Sequence, residues 1–213
     1  NKIGHAAGPV DGYFGAQTQQ AVMAFQSNNG LVPDGIIGPA TWRVLESLLL
    51  GYDNYTIRRG DTLYGIAAKY QTSVNAILTA NPGITPNALR VAQNIIVPYG
   101  IDIVFTDIDY THDILARQIR GLQVRYPFLQ VGSIGESVLG KDLYFIRLGT
   151  GENRVSYNAS HHANEWITTP VLMKFVEQFA KAYMMGEEIR GFDIADIWNR
   201  SSIYIIPMVN PDG

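Results

Sequence analysis

Asp11-Gly12-Tyr13-Phe14-Gly15 and Asp34-Gly35-Ile36-Ile37-Gly38 are two copies of one turn pattern, and each opens a helical run. The repeat confines the first fifty residues to a small unit of their own. Val10 and Pro33 precede the two copies, and Thr18 and Thr41 follow them. Asp-Gly favours a tight turn because glycine accepts positive φ without a steric cost. In the second copy, Gly38-Pro39 puts proline at a first helical position, where its missing N–H is not needed. Ala21, Val22 and Phe25, then Trp42, Leu45, Leu48 and Leu49, recur near the 3.6-residue period of an amphipathic helix. Turns of this kind need do no more than pin a small helical core.

The pattern changes twice more. Asp53 and Asn54 read as a short linker. Tyr55 to Arg58 reads as a strand, and Thr62 or Asp61 caps a short helix with Ile66, Ala67 and Tyr70 on one face. Ser73 caps a second helix that ends near Asn81-Pro82-Gly83, and Ile95 to Pro98 is a closing strand. From Ile101 onward, helix and strand alternate. Thr111 caps a helix carrying Ile114, Leu115, Ile119 and Leu122 inward, and Tyr126-Pro127 stops it. Strands are expected at about 143–148 and 154–160. A longer helix starts near Thr169-Pro170 with Val171, Leu172, Phe175, Val176, Phe179 and Tyr183 as a broad apolar stripe. A buried strand from Ser202 to Val209 leads into Asn210-Pro211-Asp212-Gly213. Such alternation argues for an α/β sheet covered by helices.

Composition narrows the chemistry. Among 213 residues there is no cysteine, so disulfides and thiolate metal sites are excluded, and any zinc must be held by His and carboxylate. Charged residues are only 16% and the net charge is −3, with no basic stripe of the kind that displaces phosphate counterions from nucleic acid. The apolar runs fall far short of the ~20 residues that span a bilayer. The chain opens Asn1-Lys2-Ile3 without a signal peptide, which suggests a processed or truncated start.

Two stretches of the third segment carry chemistry. Gly135-Glu136-Ser137-Val138-Leu139-Gly140-Lys141 fits a phosphate-binding loop until its last position, where Asp142 replaces the Ser or Thr that would hold Mg²⁺. A strand rather than a helix follows, so a turn between strands is the better reading. His161 and His162 end a strand, the location where open α/β sheets bind ligands. Adjacent side chains of an extended end point to opposite faces, so one histidine can share a site with Glu165. His162-Ala163-Asn164-Glu165 suits a turn that brings imidazole and carboxylate round one Zn²⁺. Alone, the spacing suits a capping glutamate and a satisfied histidine better than a metal site.

Three resemblances add to this. VDGYFGAQTQQAVMAFQ…GLVPDGIIGPATWRVL (residues 1–50) resembles the small all-α three-helix peptidoglycan-binding domain of wall hydrolases, with its first helix cut short. Residues 54–99, with GDTL and NP signatures and a βααβ order, resemble the α+β LysM domain. That resemblance implies a groove for N-acetylglucosamine-containing glycans formed by Gly60, Asp61, Thr62, Leu63, Tyr64 and Asn81, Pro82, Gly83, Ile84. These residues also serve as caps and turns. Within residues 101–213, HANEWIT, then YIIPMVNPDG, and the earlier IGESVLGKDL resemble the α/β zinc carboxypeptidase family.

The last resemblance implies Zn²⁺ as cofactor, His162 and Glu165 as two of its ligands, and a structural role for His161. Asn164 stands where the family usually places a substrate-contacting Arg. That departs from C-terminal carboxypeptidase specificity and fits the bacterial branch that cuts γ-D-glutamyl–diamino acid bonds in peptidoglycan stem peptides. The family's third zinc ligand is a His beyond NPDG, and its catalytic Glu also lies there. The histidines of this chain are His5, His112, His161 and His162. The carboxypeptidase-like domain is therefore expected to be incomplete and this chain an inactive fragment of a longer enzyme. Its expected setting is the bacterial cell wall, outside the cell or on a spore, with glycan strands and stem peptides as partners. Two rivals stay open: a non-catalytic wall-anchoring protein with a degenerate peptidase segment, and a general carboxypeptidase that carries wall modules.

Overall fold

The computed structural model describes residues 5–9, 11–108 and 110–213. Val10, which opens the first turn copy, and Asn1, Lys2, Ile3 and Gly4 lie outside the described residues. The chain forms two compact units, Asn1–Leu49 and Leu50–Gly213.

In the first unit, helices α1 (Ala16–Asn28) and α2 (Pro39–Leu50) are the two helices among the described residues, and residues 5–9 form none. Gly12 and Gly35 both take positive φ, as the Asp-Gly turns require. Ala21, Val22 and Phe25 are buried. The stripe expected on α2 is less buried than its period implies: Trp42 is exposed, and Leu45, Leu48 and Leu49 are half-buried. A polar hub organises this unit instead. The Gln26 amide nitrogen lies 2.7 Å from Asp34 Oδ1, 2.9 Å from the Ile36 carbonyl and 3.0 Å from Thr41 Oγ1, which share its two N–H groups, and its oxygen accepts from Gly35 N (2.9 Å). One buried side chain thus ties the second turn to the start of α2.

The second unit opens with strand β1 (Tyr52–Thr56), helices α3 (Leu63–Lys69) and α4 (Val74–Ala80), and strand β2 (Asn94–Pro98). Asp53 and Asn54 are not a linker: they lie inside β1, opposite Val97 and Ile96 of antiparallel β2. Pairing with a strand overrides their weak strand preference. Thr62, not Asp61, caps α3, accepting from Gly65 N at 3.0 Å. Asp61 instead accepts from Arg58 N (2.7 Å) and the Tyr55 hydroxyl (2.9 Å). Ser73 caps α4. Tyr55, Ile57, Leu63, Ile66, Ile77, Ile95 and Val97 form the core beneath.

Helix α5 (His112–Arg125) follows, then strands β3 (Gln130–Glu136), β4 (Asp142–Leu148) and β5 (Asn153–Asn158). Beyond a 3-10 turn lie α6 (Thr168–Met185), a small hairpin of β6 (Glu188–Ile189) and β7 (Phe192–Asp193), α7 (Ile194–Arg200) and β8 (Ser201–Ile206). The sheet order is β3-β4-β8-β5, with β5 parallel to β8 and the other pairs antiparallel. Strand β3, absent from the sequence reading, is built by pairing with β4 despite two glycines, and it bulges between Ser133 and Glu136 where Gly135 has positive φ. Strand β8 stops at Ile206, short of the expected Val209, because Pro207 has no N–H for the ladder. One face of the sheet packs under α5, α6 and α7 through Leu115, Leu122, Ile146, Leu148, Met173, Val176 and Ile205.

Candidate metal centre

The site is built where β5 and β8, running in parallel, both end. Strand β5 stops two residues before the expected Ser160, because the backbone turns out of the sheet there: Ser160 is buried with φ 52°, a left-handed conformation that only tertiary bonds hold in a non-glycine residue. Ser160 N donates to Thr168 Oγ1 at 2.9 Å, and Thr168 Oγ1 donates to the Glu165 carbonyl at 2.7 Å. Thr169 Oγ1 donates to the Pro207 carbonyl at 2.5 Å and lies 2.6 Å from Ser160 Oγ. Each hydroxyl has one proton, so the Ser160 proton points at Thr169 and the chain of bonds runs one way. Glu165 N donates to the His162 carbonyl (3.0 Å) and closes the 3-10 turn Ala163–Glu165.

On that turn, His162 Nδ1 lies 3.1 Å from Glu165 Oε1. The hydrogen bond from His162 is the largest influence holding the Glu165 carboxyl below the usual carboxylate range. Both side chains face solvent, at 76% and 48% exposure. An ion pair that open adds little to stability. Donors ~2.0–2.2 Å from one tetrahedral zinc lie roughly 3.3 Å apart, close to the separation seen here. A neutral imidazole nitrogen and a carboxylate oxygen are also ligands that zinc accepts. Among the described residues, however, no group of three His, Cys, Asp or Glu side chains comes together to hold a metal. His161 Nε2 is 2.8 Å from Asn158 Oδ1, and His5 sits edge-on to Phe25 in the other unit. His112 lines the same cleft as His162, but its Nε2 is 2.9 Å from the Asp142 carbonyl and its ring stacks on Tyr144.

The Asn210–Gly213 turn forms the adjoining wall. Val209 N and Asn210 N donate to the Ala159 and Ser160 carbonyls at 3.0 and 2.9 Å. Asp212 accepts from Ser137 Oγ (2.9 Å) and Leu139 N (3.0 Å), and Lys141 Nζ donates to the Pro211 carbonyl (2.6 Å). The phosphate-loop look-alike is therefore a β3–β4 hairpin turn that clamps an aspartate. Desolvation pushes the Asp212 carboxyl up, but the Leu139 N–H, the Ser137 hydroxyl and Lys141 together hold it below the usual range. His112, Lys141, Ser160, His162, Trp166 and Asn210 line one cleft. The sequence reading passed over the Ser160–Thr168–Thr169 cluster and the Asp212 clamp. Their signal was three hydroxyls flanking His-x-x-Glu, and a turn-forming loop rich in groups that can meet an aspartate.

In the second unit's first half, a separate cleft is lined by Asp61, Thr62, Leu63 and Tyr64, with Val74, Pro86, Asn87 and Leu89 opposite. Tyr64 stands 79% exposed. Gly60, Pro82, Gly83 and Ile84 are not in that lining. Asn81 is bound into the fold: its Nδ2 donates to the Ile77 and Ile96 carbonyls, and its Oδ1 accepts from Ile96 N.

Comparison with known proteins assigns all three segments. Residues 1–45 match the peptidoglycan binding domain family, residues 55–98 the LysM domain, and residues 115–213 the zinc carboxypeptidase family. Over 105 residues the chain is 42% identical to gamma-D-glutamyl-L-diamino acid endopeptidase 1 of Lysinibacillus sphaericus, covering 49% of this chain and 26% of that protein. It is 36% identical over 107 residues to the uncharacterized protein YqgT of Bacillus subtilis, covering 49% of this chain and 28% of that one. A solved structure of bovine thrombin-activatable fibrinolysis inhibitor with tick carboxypeptidase inhibitor matches at 22% identity and TM-score 0.42, over 50% of this chain and 33% of that one. The chain thus spans about a quarter of the length of the curated relatives named here.

Proposed function

We propose that this chain, which joins a peptidoglycan-binding domain, a LysM domain and part of a zinc carboxypeptidase domain, is the wall-binding and metal-anchoring portion of a bacterial peptidase that hydrolyses γ-D-glutamyl–diamino acid bonds in stem peptides at the cell wall. The observation that carries the reading is the solvent-facing His162–Glu165 pair, 3.1 Å apart on a braced turn. His162 and Glu165 would hold Zn²⁺, with a third ligand from outside the described residues. Zinc at such a site polarises a carbonyl and lowers the pKa of bound water to about 7. The described residues hold the two ligands in register and shape the wall beside them: Ser160, Thr168 and Thr169 fix the turn, and Asp212 and Lys141 fix the Asn210–Gly213 segment.

The glycan contacts would come from Asp61, Thr62, Leu63 and Tyr64 of the LysM cleft, with Gly60 before them; Asn81, Pro82, Gly83 and Ile84 would support the far loop. Among the described residues no helix is long and apolar enough to cross a membrane; the two wall-binding domains would attach the protein to glycan. Holding the enzyme on glycan raises the local concentration of stem peptide at the peptidase.

The test is side-by-side hydrolysis of a γ-D-glutamyl–diamino acid peptide and an α-linked peptide of equal length by the protein extended to its relatives' full length. Cleavage confined to the γ-linked peptide is the expected result. Preference for the α-linked peptide would sink the specificity and favour a general carboxypeptidase.

A further inference from the structure

Glu177, on α6, is fully buried. A buried carboxylate survives only where donors surround it. Its Oε1 accepts from Ile103 N at 2.7 Å, its Oε2 from Val104 N at 3.3 Å, and Lys174 Nζ lies 2.9 Å from Oε2. Lys174 also reaches Asp102 Oδ2 at 2.6 Å, and Arg125 Nη1 donates to the Ile101 carbonyl at 2.7 Å. Residues 101–104 are the passage from the LysM domain to the carboxypeptidase domain. Every one of them is thus bonded to α5 or α6, and Ile103 is fully buried in the carboxypeptidase core.

The LysM side is gripped as well. Tyr99 N donates to the Gly51 carbonyl (2.8 Å) and Gly100 N to the Tyr70 carbonyl (3.3 Å). A Cβ on Gly100 would fall 1.6 Å from the Gln71 carbonyl oxygen, so only glycine permits this approach. The junction is lined by Gln71, Ala76, Tyr99, Ile101, Tyr126 and Met184. None of the glycan-cleft residues takes part, and Tyr64 stays open to solvent. Linkers between wall modules need no buried carboxylate to hold them; a flexible tether would serve to raise local concentration.

We propose that Glu177 and residues 101–104 lock the LysM domain onto the carboxypeptidase domain as one rigid body, so that the substrate is a stem peptide still attached to the glycan strand in the LysM cleft. Detached peptide is then the poorer substrate. This rests on the function proposed above for its substrate, but the rigidity itself does not.

Because the chain has no cysteine, the exposed Val91→Cys and Phe192→Cys pair places one spin label on each domain, and Val138→Cys with Phe192→Cys gives a control within the carboxypeptidase domain. Pulsed electron-electron distance measurement on this chain should give a distribution as narrow as the control. A broad distribution, as from a tether, overturns the proposal. Adding Glu177→Gln should broaden it, and an unchanged width would remove Glu177 as the lock. In the longer enzyme, six Gly-Ser residues inserted after Gly100 should lower sacculus digestion relative to free-peptide hydrolysis about tenfold or more, and an unchanged ratio contradicts the substrate claim. If the longer enzyme cleaves neither, the proposed function fails while the distance measurement still decides the rigidity.

Discussion

Ser160 holds φ 52° where β5 turns toward His161 and His162, and two opposing effects act on it. The left-handed conformation costs a non-glycine residue roughly 1–2 kcal/mol, while its hydroxyl and N–H bind Thr169 and Thr168. Ser160→Gly relieves the strain and loses the hydroxyl bond; Ser160→Ala loses the bond and keeps the strain. Chemical denaturation should therefore find Ser160→Ala less stable than Ser160→Gly by about 1 kcal/mol. Equal stabilities would mean that the left-handed backbone at this position carries no strain. Asp212 gives a pH prediction. Its folded carboxyl titrates below the ordinary value of about 3.9, so its contribution is complete above that value and is lost as pH falls through the folded one. Thermal unfolding of the wild type should exceed that of Asp212→Ala at pH 6, and the gap should close toward pH 3. A gap that widens in acid would reverse the assignment.

At the scale of elements, the first unit depends on a polar hub more than on an apolar stripe. Gln26 satisfies Gly35 N, the Ile36 carbonyl and Thr41 from one buried amide. Gln26→Ala leaves buried donors and acceptors unmet and should cost about 2–3 kcal/mol, read as a lowered denaturant midpoint for this unit. Val32→Ala, at a side chain 77% exposed, should cost much less. The contrast shows what the sequence could reveal. The caps at Thr62, Ser73 and Thr111, and the helices they start, were legible because capping is local chemistry. The extension of β1 through Asp53 and Asn54, and the whole of β3, depend on a partner strand distant in sequence. Periodicity cannot report that. His162 and Glu165 were legible as a pair because one turn of chain brings them together, whereas Asp212 meets Ser137 only after the sheet has formed.

At the scale of the molecule, three domains of matched families follow one another, and the second and third share one compact unit. The His162–Glu165 pair sits at the strand ends, with residues 210–213 clamped beside it, and the LysM cleft opens elsewhere on the same unit. The central claim is that His162 and Glu165 anchor the zinc of a wall peptidase, and the direct measurement is muropeptide release from intact sacculi. The protein extended to its relatives' length would be assayed zinc-loaded, chelator-treated, and as His162→Ala. The account predicts release of diamino-acid products only by the zinc-loaded wild type, with the loss in His162→Ala as complete as that caused by the chelator. The same products from all three samples would contradict it and leave a protein that anchors to the wall without cutting it.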